Sequence, residues 1–149
     1  EKVIKNTLHN LSEYLTTNKM IRAFQLFLDK NNIASSFIDD ERTMLRFKVF
    51  DLNYVFAYDE TDDPAYIRFI VPNAGDIDIN DANSVRMLYN LTASFKLGKA
   101  YEQAGQVWFS TDAFVYTKEN INQVFQRMIE VLRDMLNQYR LGNHGKESE

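Results

Sequence analysis

The stretch Leu88-Tyr-Asn90-Leu-Thr-Ala-Ser-Phe-Lys-Leu-Gly98-Lys-Ala-Tyr101 changes its apolar period partway along, and no other feature constrains the fold as much. Val85, Leu88, Tyr89 and Thr92 recur at helical spacing, whereas Phe95, Leu97, Lys99 and Tyr101 alternate with Lys96, Gly98, Ala100 and Glu102 as a strand does. The reading is a helix that runs straight into a strand. Gly98 then falls inside that strand, where a glycine marks a bulge or a place where other backbone comes close.

Periodicity extends the pattern in both directions. Ile4, Leu8, Leu11 and Leu15 form an apolar stripe on a short helix over Val3 to Leu15. A second helix is predicted over Asn18 to Asn31, with Met20, Ile21, Phe24, Leu26, Phe27 and Leu28 on a wide apolar side and Asn31-Asn32 as its stop. Three strands follow, centred on Leu45 to Val49, Tyr54 to Tyr58 and Ile67 to Val71. Asp51-Leu52-Asn53 reads as the tight connection between the first two, the acidic segment Asp59 to Pro64 as the loop after the second, and Pro72 to Gly75 as the end of the third.

Asn80 or Asp81 can cap the helix that runs to Ser94. Phe95 to Glu102 and Val107 to Tyr116 pair through the glycine-bearing loop Gln103 to Gln106. Thr117 caps a long last helix with Glu119 near its positive end. Ile121, Val124, Phe125, Met128, Leu132, Met135, Leu136 and Tyr139 hold one face of that helix, and Gly142 closes it. The chain therefore reads as one α+β domain over residues 1–142 with a disordered tail at 143–149: an antiparallel sheet with helices packed on it, core order α-β-β-β-α-β-β-α, plus an extra N-terminal helix.

The order helix, Asn90-Leu91, short link, Phe95-x-Leu97-Gly98-Lys99 resembles the signature region of the YbjN-like bacterial proteins, which share the type III secretion chaperone-like fold. The likeness in element order runs from about Thr17 to Tyr139, and its specific residues are Asn90, Leu97, Gly98, Lys99, the following hairpin and the helix start Thr117-Lys-Glu-Asn120. The resemblance implies a bacterial, non-enzymatic protein of chaperone-like or regulatory, stress-related kind. The helix before Leu15 is extra relative to that fold.

Composition bounds the chemistry. With 149 residues, 45% of them hydrophobic, the chain can bury a core without staples. It has no cysteine, which excludes disulfides, thiolate nucleophiles and cysteine-held metals. A net charge of −4 argues against non-specific nucleic-acid binding, which needs a concentrated basic patch. These residues hold neither an apolar run of about 18 that would span a membrane nor a charged start leading into an apolar segment. A cytoplasmic location, with no membrane partner, is the expectation.

Catalytic and cofactor motifs are absent by pattern. The two histidines, His9 and His144, have no nucleophile or acid at a telling spacing. Asp76-Ile-Asp78-Ile-Asn80-Asp81 alternates oxygen donors like a calcium loop, but the sixth position is Asp81 where glycine is required and the twelfth is Met87 where a glutamate is required. The Gly98-Lys99 pair lacks the rest of a phosphate loop. No enzyme activity and no cofactor are expected.

What remains is surface. If Leu45, Phe47, Val49, Val55, Ala57, Ile67, Phe69 and Val71 face the helices, the opposite face shows Arg46, Lys48, Phe50, Tyr54, Phe56, Tyr58, Tyr66, Arg68 and Ile70, and Trp108 joins it. Aromatics with interleaved arginines dominate binding hot spots. Tyr54, Phe56, Tyr58, Tyr66, Arg68 and Trp108 are accordingly the expected protein-binding residues, on this face or beside an edge strand that accepts a client strand. So large an apolar patch also predicts a homodimer. The rival class is a small-molecule or metal-binding domain, enzymatic or not, using the Tyr and Arg side chains or the Asp59 to Asp63 loop.

Overall fold

The computed structural model describes Lys2, Ile4, Lys5 and residues 19–59, 65–116 and 119–147, the last five by backbone alone. Lys2, Ile4 and Lys5 are helical. The remainder of the expected first helix, His9, the loop residues 60–64 and the Thr117 cap lie outside the described residues.

Helix α1 (Lys19–Lys30) forms because Met20, Ile21, Phe24 and Leu28 fall on one side of it, and all four are buried. It stops where expected. Asn32 takes a left-handed φ of 58° and the Ile33 amide turns back to donate to the Leu28 carbonyl at 2.9 Å. Strands β1 (Ser35–Phe37), β2 (Met44–Val49), β3 (Leu52–Asp59) and β4 (Ala65–Val71) follow, then α2 (Ala82–Ser94), β5 (Gly98–Gln103), β6 (Gln106–Val115) and α3 (Ile121–Glu147). The sheet has six antiparallel strands in the order β1-β2-β3-β4-β6-β5. The fold class is the α+β layout read from the sequence, with one addition. Strand β1 is only three residues long, Ser-Ser-Phe, too short to leave an alternating pattern.

Local chemistry fixes the connections. The Asp39 carboxylate accepts the Met44 amide at 2.9 Å and the Thr43 amide at 3.1 Å, together with the Thr43 hydroxyl, and so closes the β1–β2 loop. Asp81 is extended at φ −84° and caps α2 by accepting from the Asn83 amide at 3.3 Å and the Ser84 hydroxyl at 2.8 Å. Asp78 accepts from the Asn80 amide at 2.9 Å. These carboxylates are thus occupied by their own backbone and neighbours, as turn and cap residues are.

Helices α1 and α3 cover one face of the sheet. The Phe24 ring stacks on Phe56 at 4.3 Å between centroids and meets Phe47, Phe69 and Phe125 at 5.1, 5.2 and 5.1 Å. Phe125, Met128, Leu132, Met135, Leu136 and Tyr139 are the buried stripe of α3, as the periodicity predicts. Leu26 departs from the expected apolar side of α1 and is exposed.

Three expectations are corrected. First, Tyr54 and Phe56 are fully buried among the helices, and Tyr58 packs against the same core, while Val55 and Ala57 lie on the opposite face. The cause is the turn. Phe50 and Asp51, both with left-handed φ of 50° and 62°, make a two-residue connection that sets Val49 opposite Leu52 and Phe47 opposite Tyr54. A connection at Asp51 to Asn53 implies the other parity, and a one-residue slip flips every side chain.

Second, Gly98 is not mid-strand. Helix α2 ends at Ser94 with Phe95 already extended, Leu97 turns the chain at φ 64°, and Gly98 opens β5. Third, α3 runs through Gly142 to Glu147, so that glycine does not end the helix.

The reason for glycine at 98 is a close approach, from a side chain rather than backbone: a β-carbon there would collide with the Met135 sulfur. Gly98→Val is therefore expected to lower stability by about 1–3 kcal/mol, the usual cost of overpacking a filled core. Denaturant unfolding measures it. A neutral result would show that Met135 moves aside freely.

Candidate functional site: the open face of the sheet

The side of the sheet away from α1 and α3 is set by parity: Met44, Arg46 and Lys48 of β2, Val55 and Ala57 of β3, Tyr66, Arg68 and Ile70 of β4. β6 adds Trp108, Ser110, Asp112 and Phe114, and β5 adds Lys99 and Tyr101. Two adjoining depressions run along this face. One, of about 590 Å³, is lined by Met44, Ala57, Tyr66, Arg68 and Ile70. The other, of about 430 Å³, shares Met44 and Ile70 and adds Ile38, Arg46, Val55 and Trp108. The floor is apolar, and Arg46, Arg68 and Asp59 are the charged residues around it.

At one end, cross-strand register builds a polar cluster. Arg68 lies opposite Asp112 and Tyr66 opposite Phe114. Asp112 accepts the Tyr66 hydroxyl at 2.5 Å and the Lys99 ammonium at 2.8 Å, and Arg68 lies 3.6 Å from the same oxygen. Arg68 also donates to the Tyr66 hydroxyl oxygen at 3.0 Å and sits 5.7 Å from its ring centre. The Tyr66 and Phe114 rings meet at 5.3 Å.

Partial burial pushes the Asp112 carboxyl up, but the hydrogen bonds from Lys99 and Tyr66 and the charges of Lys99 and Arg68 outweigh it and hold it below its ordinary value. Arg68 is held more firmly protonated, first by its hydrogen bond to Tyr66. One carboxylate thus anchors two cations and a phenol. Two donors on this side of the sheet, the Arg68 Nε and the Trp108 indole N–H, are buried with no hydrogen-bond partner among the described residues.

The expected site residues therefore divide. Tyr66, Arg68 and Trp108 stand together on the open face, whereas Tyr54, Phe56 and Tyr58 belong to the core side. Burial pushes the Tyr54 phenol up, against the opposing charges of Arg133 and Arg140. The sequence reading omits Lys99, Asp112 and Phe114 from the site. Their signal was present in β6, where Trp108, Asp112 and Phe114 alternate with the buried Phe109 and Thr111.

The sheet edges offer less. The Thr92 hydroxyl of α2 accepts the Ala100 amide at 2.9 Å and donates to the Ala100 carbonyl at 3.3 Å, which occupies the outer side of β5 at its middle. At the other edge β1 presents only three residues. Among the described residues no group of three or more His, Asp or Glu side chains is placed to hold a metal ion, and no helix is long and apolar enough to cross a membrane.

Similarity to known proteins enters at the level of fold. No protein-family model matches the chain and no curated protein matches it. Among solved structures it is similar to YbjN of E. coli, described as a candidate transcription regulator, with a TM-score of 0.55 and 14% identity over 83% of this chain and 93% of that one. At that identity the likeness establishes a YbjN-like fold.

The Asp112 cluster has a pH signature. A carboxylate whose folded pKa lies below its unfolded value adds stability above the unfolded pKa of about 3.9 and loses it as pH falls through the folded value. Asp112→Asn should cost about 1–2 kcal/mol at pH 7, in the range for a charge-assisted hydrogen-bonded group, and much less near pH 2. Chemical unfolding at both pH values checks this. An equal loss at both would mean that the charge of Asp112 does not matter.

Proposed function

We propose that this chain is a non-enzymatic protein-binding domain, chaperone-like or regulatory, that grips another protein through the open face of its sheet. The observation that carries the reading is an apolar floor of Met44, Val55, Ala57, Ile70 and Trp108, half-buried residues on a face opposite the one that α1 and α3 cover. Tyr66, Arg68 and Trp108 are residue types that concentrate binding energy, because they bring large area and polar tips at small entropic cost. The likeness to YbjN, a candidate transcription regulator, supports a regulatory role over a catalytic one.

Contact by edge pairing is the weaker route, since Thr92 occupies Ala100 and β1 is short. The expected homodimer loses three of the aromatics that motivated it, Tyr54, Phe56 and Tyr58, to the core side. A seam of this face against itself would also gather the four cations of each copy, Arg46, Lys48, Arg68 and Lys99, with only Asp59 and Asp112 to offset them. An unlike partner suits the face better.

Trp108→Ala and Arg68→Ala together are expected to shift the melting temperature by no more than a few degrees, the scale for changes outside the core of a chain this size. They should abolish recovery of the partners that the unaltered protein retains from a lysate of its own host, identified by mass spectrometry. Retention of the same partners by the doubly altered protein would contradict the assignment of the face.

A further inference from the structure

The open face carries an excess of positive charge. The chain carries a net charge of −4, yet the strand residues of this face hold Arg46, Lys48, Arg68 and Lys99 against Asp59 and Asp112. Asp112 is already taken by Tyr66, Lys99 and Arg68. Arg46 and Lys48 are exposed and make no ion pair among the described residues. The Arg68 side chain stays 41% exposed, so its guanidinium remains reachable beside Asp112. Such a surface is rich in donors and poor in acceptors, with apolar side chains between them.

We propose that the occupant of this face is a segment of a second protein that presents carboxylates beside apolar side chains, with the carboxylates meeting Arg46, Lys48 and the Arg68 edge and the apolar groups lying over Ile70 and Trp108. The inference rests on the protein-binding reading and adds the chemistry of the partner. Charge complementarity favours such a segment over a second copy of this face. It also favours a carboxylate-bearing protein over a nucleic acid, because Arg46 and Lys48, the cations of this face without an ion pair among the described residues, fall short of the concentrated basic patch a polyphosphate strand needs. Carboxylates suit the site because an ionised carboxylate accepts only, and its bonds from arginine or lysine are the stronger charge-assisted kind.

Trp108 is the one tryptophan in the chain, so its fluorescence reports from the site itself. The probes are a short synthetic peptide alternating glutamate with leucine and phenylalanine, its lysine and serine counterparts, and a single-stranded oligonucleotide. The glutamate peptide is expected to shift Trp108 emission to the blue saturably and to weaken with added salt, while the lysine peptide leaves it unmoved. Arg46→Glu with Lys48→Glu should weaken the glutamate peptide roughly tenfold, the scale for reversing two exposed charges, and should let the lysine peptide bind. Circular dichroism checks that the variant is folded, and Arg46→Gln with Lys48→Gln serves if it is not.

Equal binding of the serine or lysine peptide to the unaltered protein would overturn the acidic partner while leaving an apolar binding face intact. Tighter binding of the oligonucleotide would overturn it in favour of nucleic acid. Silence of Trp108 toward every peptide would overturn it too. If that silence came with partner capture that survives loss of Trp108 and Arg68, the protein-binding reading of the face would fall as well.

Discussion

The Phe24 ring is the contact on which the remaining architecture depends. It comes from a helix, touches aromatic rings from β2, β3 and β4, and meets Phe125 of α3, so a single side chain joins two helices and three strands. Aromatic pairs at 4.5–7 Å add about 0.5–1.5 kcal/mol each beyond the area they bury. A core packed this way draws both helices to one side of the sheet. Gly98 lets α3 settle there, because the space a side chain would need is filled by Met135.

That one-sidedness turns the strand alternation into a division of labour. Residues of one parity are consumed by the core, and residues of the other parity are left to whatever the opposite face meets. Strand β3 shows the consequence plainly. Its aromatics Tyr54 and Phe56 hold the helices, while its small residues Val55 and Ala57 form a floor between the cations of β2 and the Tyr66 and Arg68 pair of β4. Asp112 keeps that pair and Lys99 in place, so the rim is held by contacts within the protein itself. A rigid rim limits the side-chain ordering that binding must otherwise supply.

Much of this was legible in the sequence, because long periodic segments leave strong marks. The stripes of α1 and α3, the Asp81 cap, the Ala104-Gly105 hairpin and the strands β2, β3, β4 and β6 stand where the pattern of residues puts them. Strand β3 alternates one apolar set with another, Tyr54, Phe56 and Tyr58 against Val55 and Ala57, so hydrophobicity alone cannot say which set is inside. The arbiter is the turn, and Phe50-Asp51 lacks the Asn-Gly or Asp-Gly that announces a two-residue connection. The same limit governs the open face. Tyr66 and Arg68 could be placed because Ile67 and Phe69 beside them mark the buried parity of β4, and Trp108 because Val107 and Phe109 flank it in β6. The Asp112 cluster depends on three strands meeting in register, and no local spacing within one strand encodes that meeting.

The division of faces is most directly tested by hydroxyl-radical footprinting of the free protein, read residue by residue by mass spectrometry. Phe114 and Trp108 are predicted to be labelled, Phe114 strongly at 52% exposure, while Tyr54 and Phe56 at 0% stay protected as long as the protein is folded. Labelling of Tyr54 and Phe56 at the level of Phe114 would mean that β3 sits in the opposite register, and the account of core and open face would be reversed.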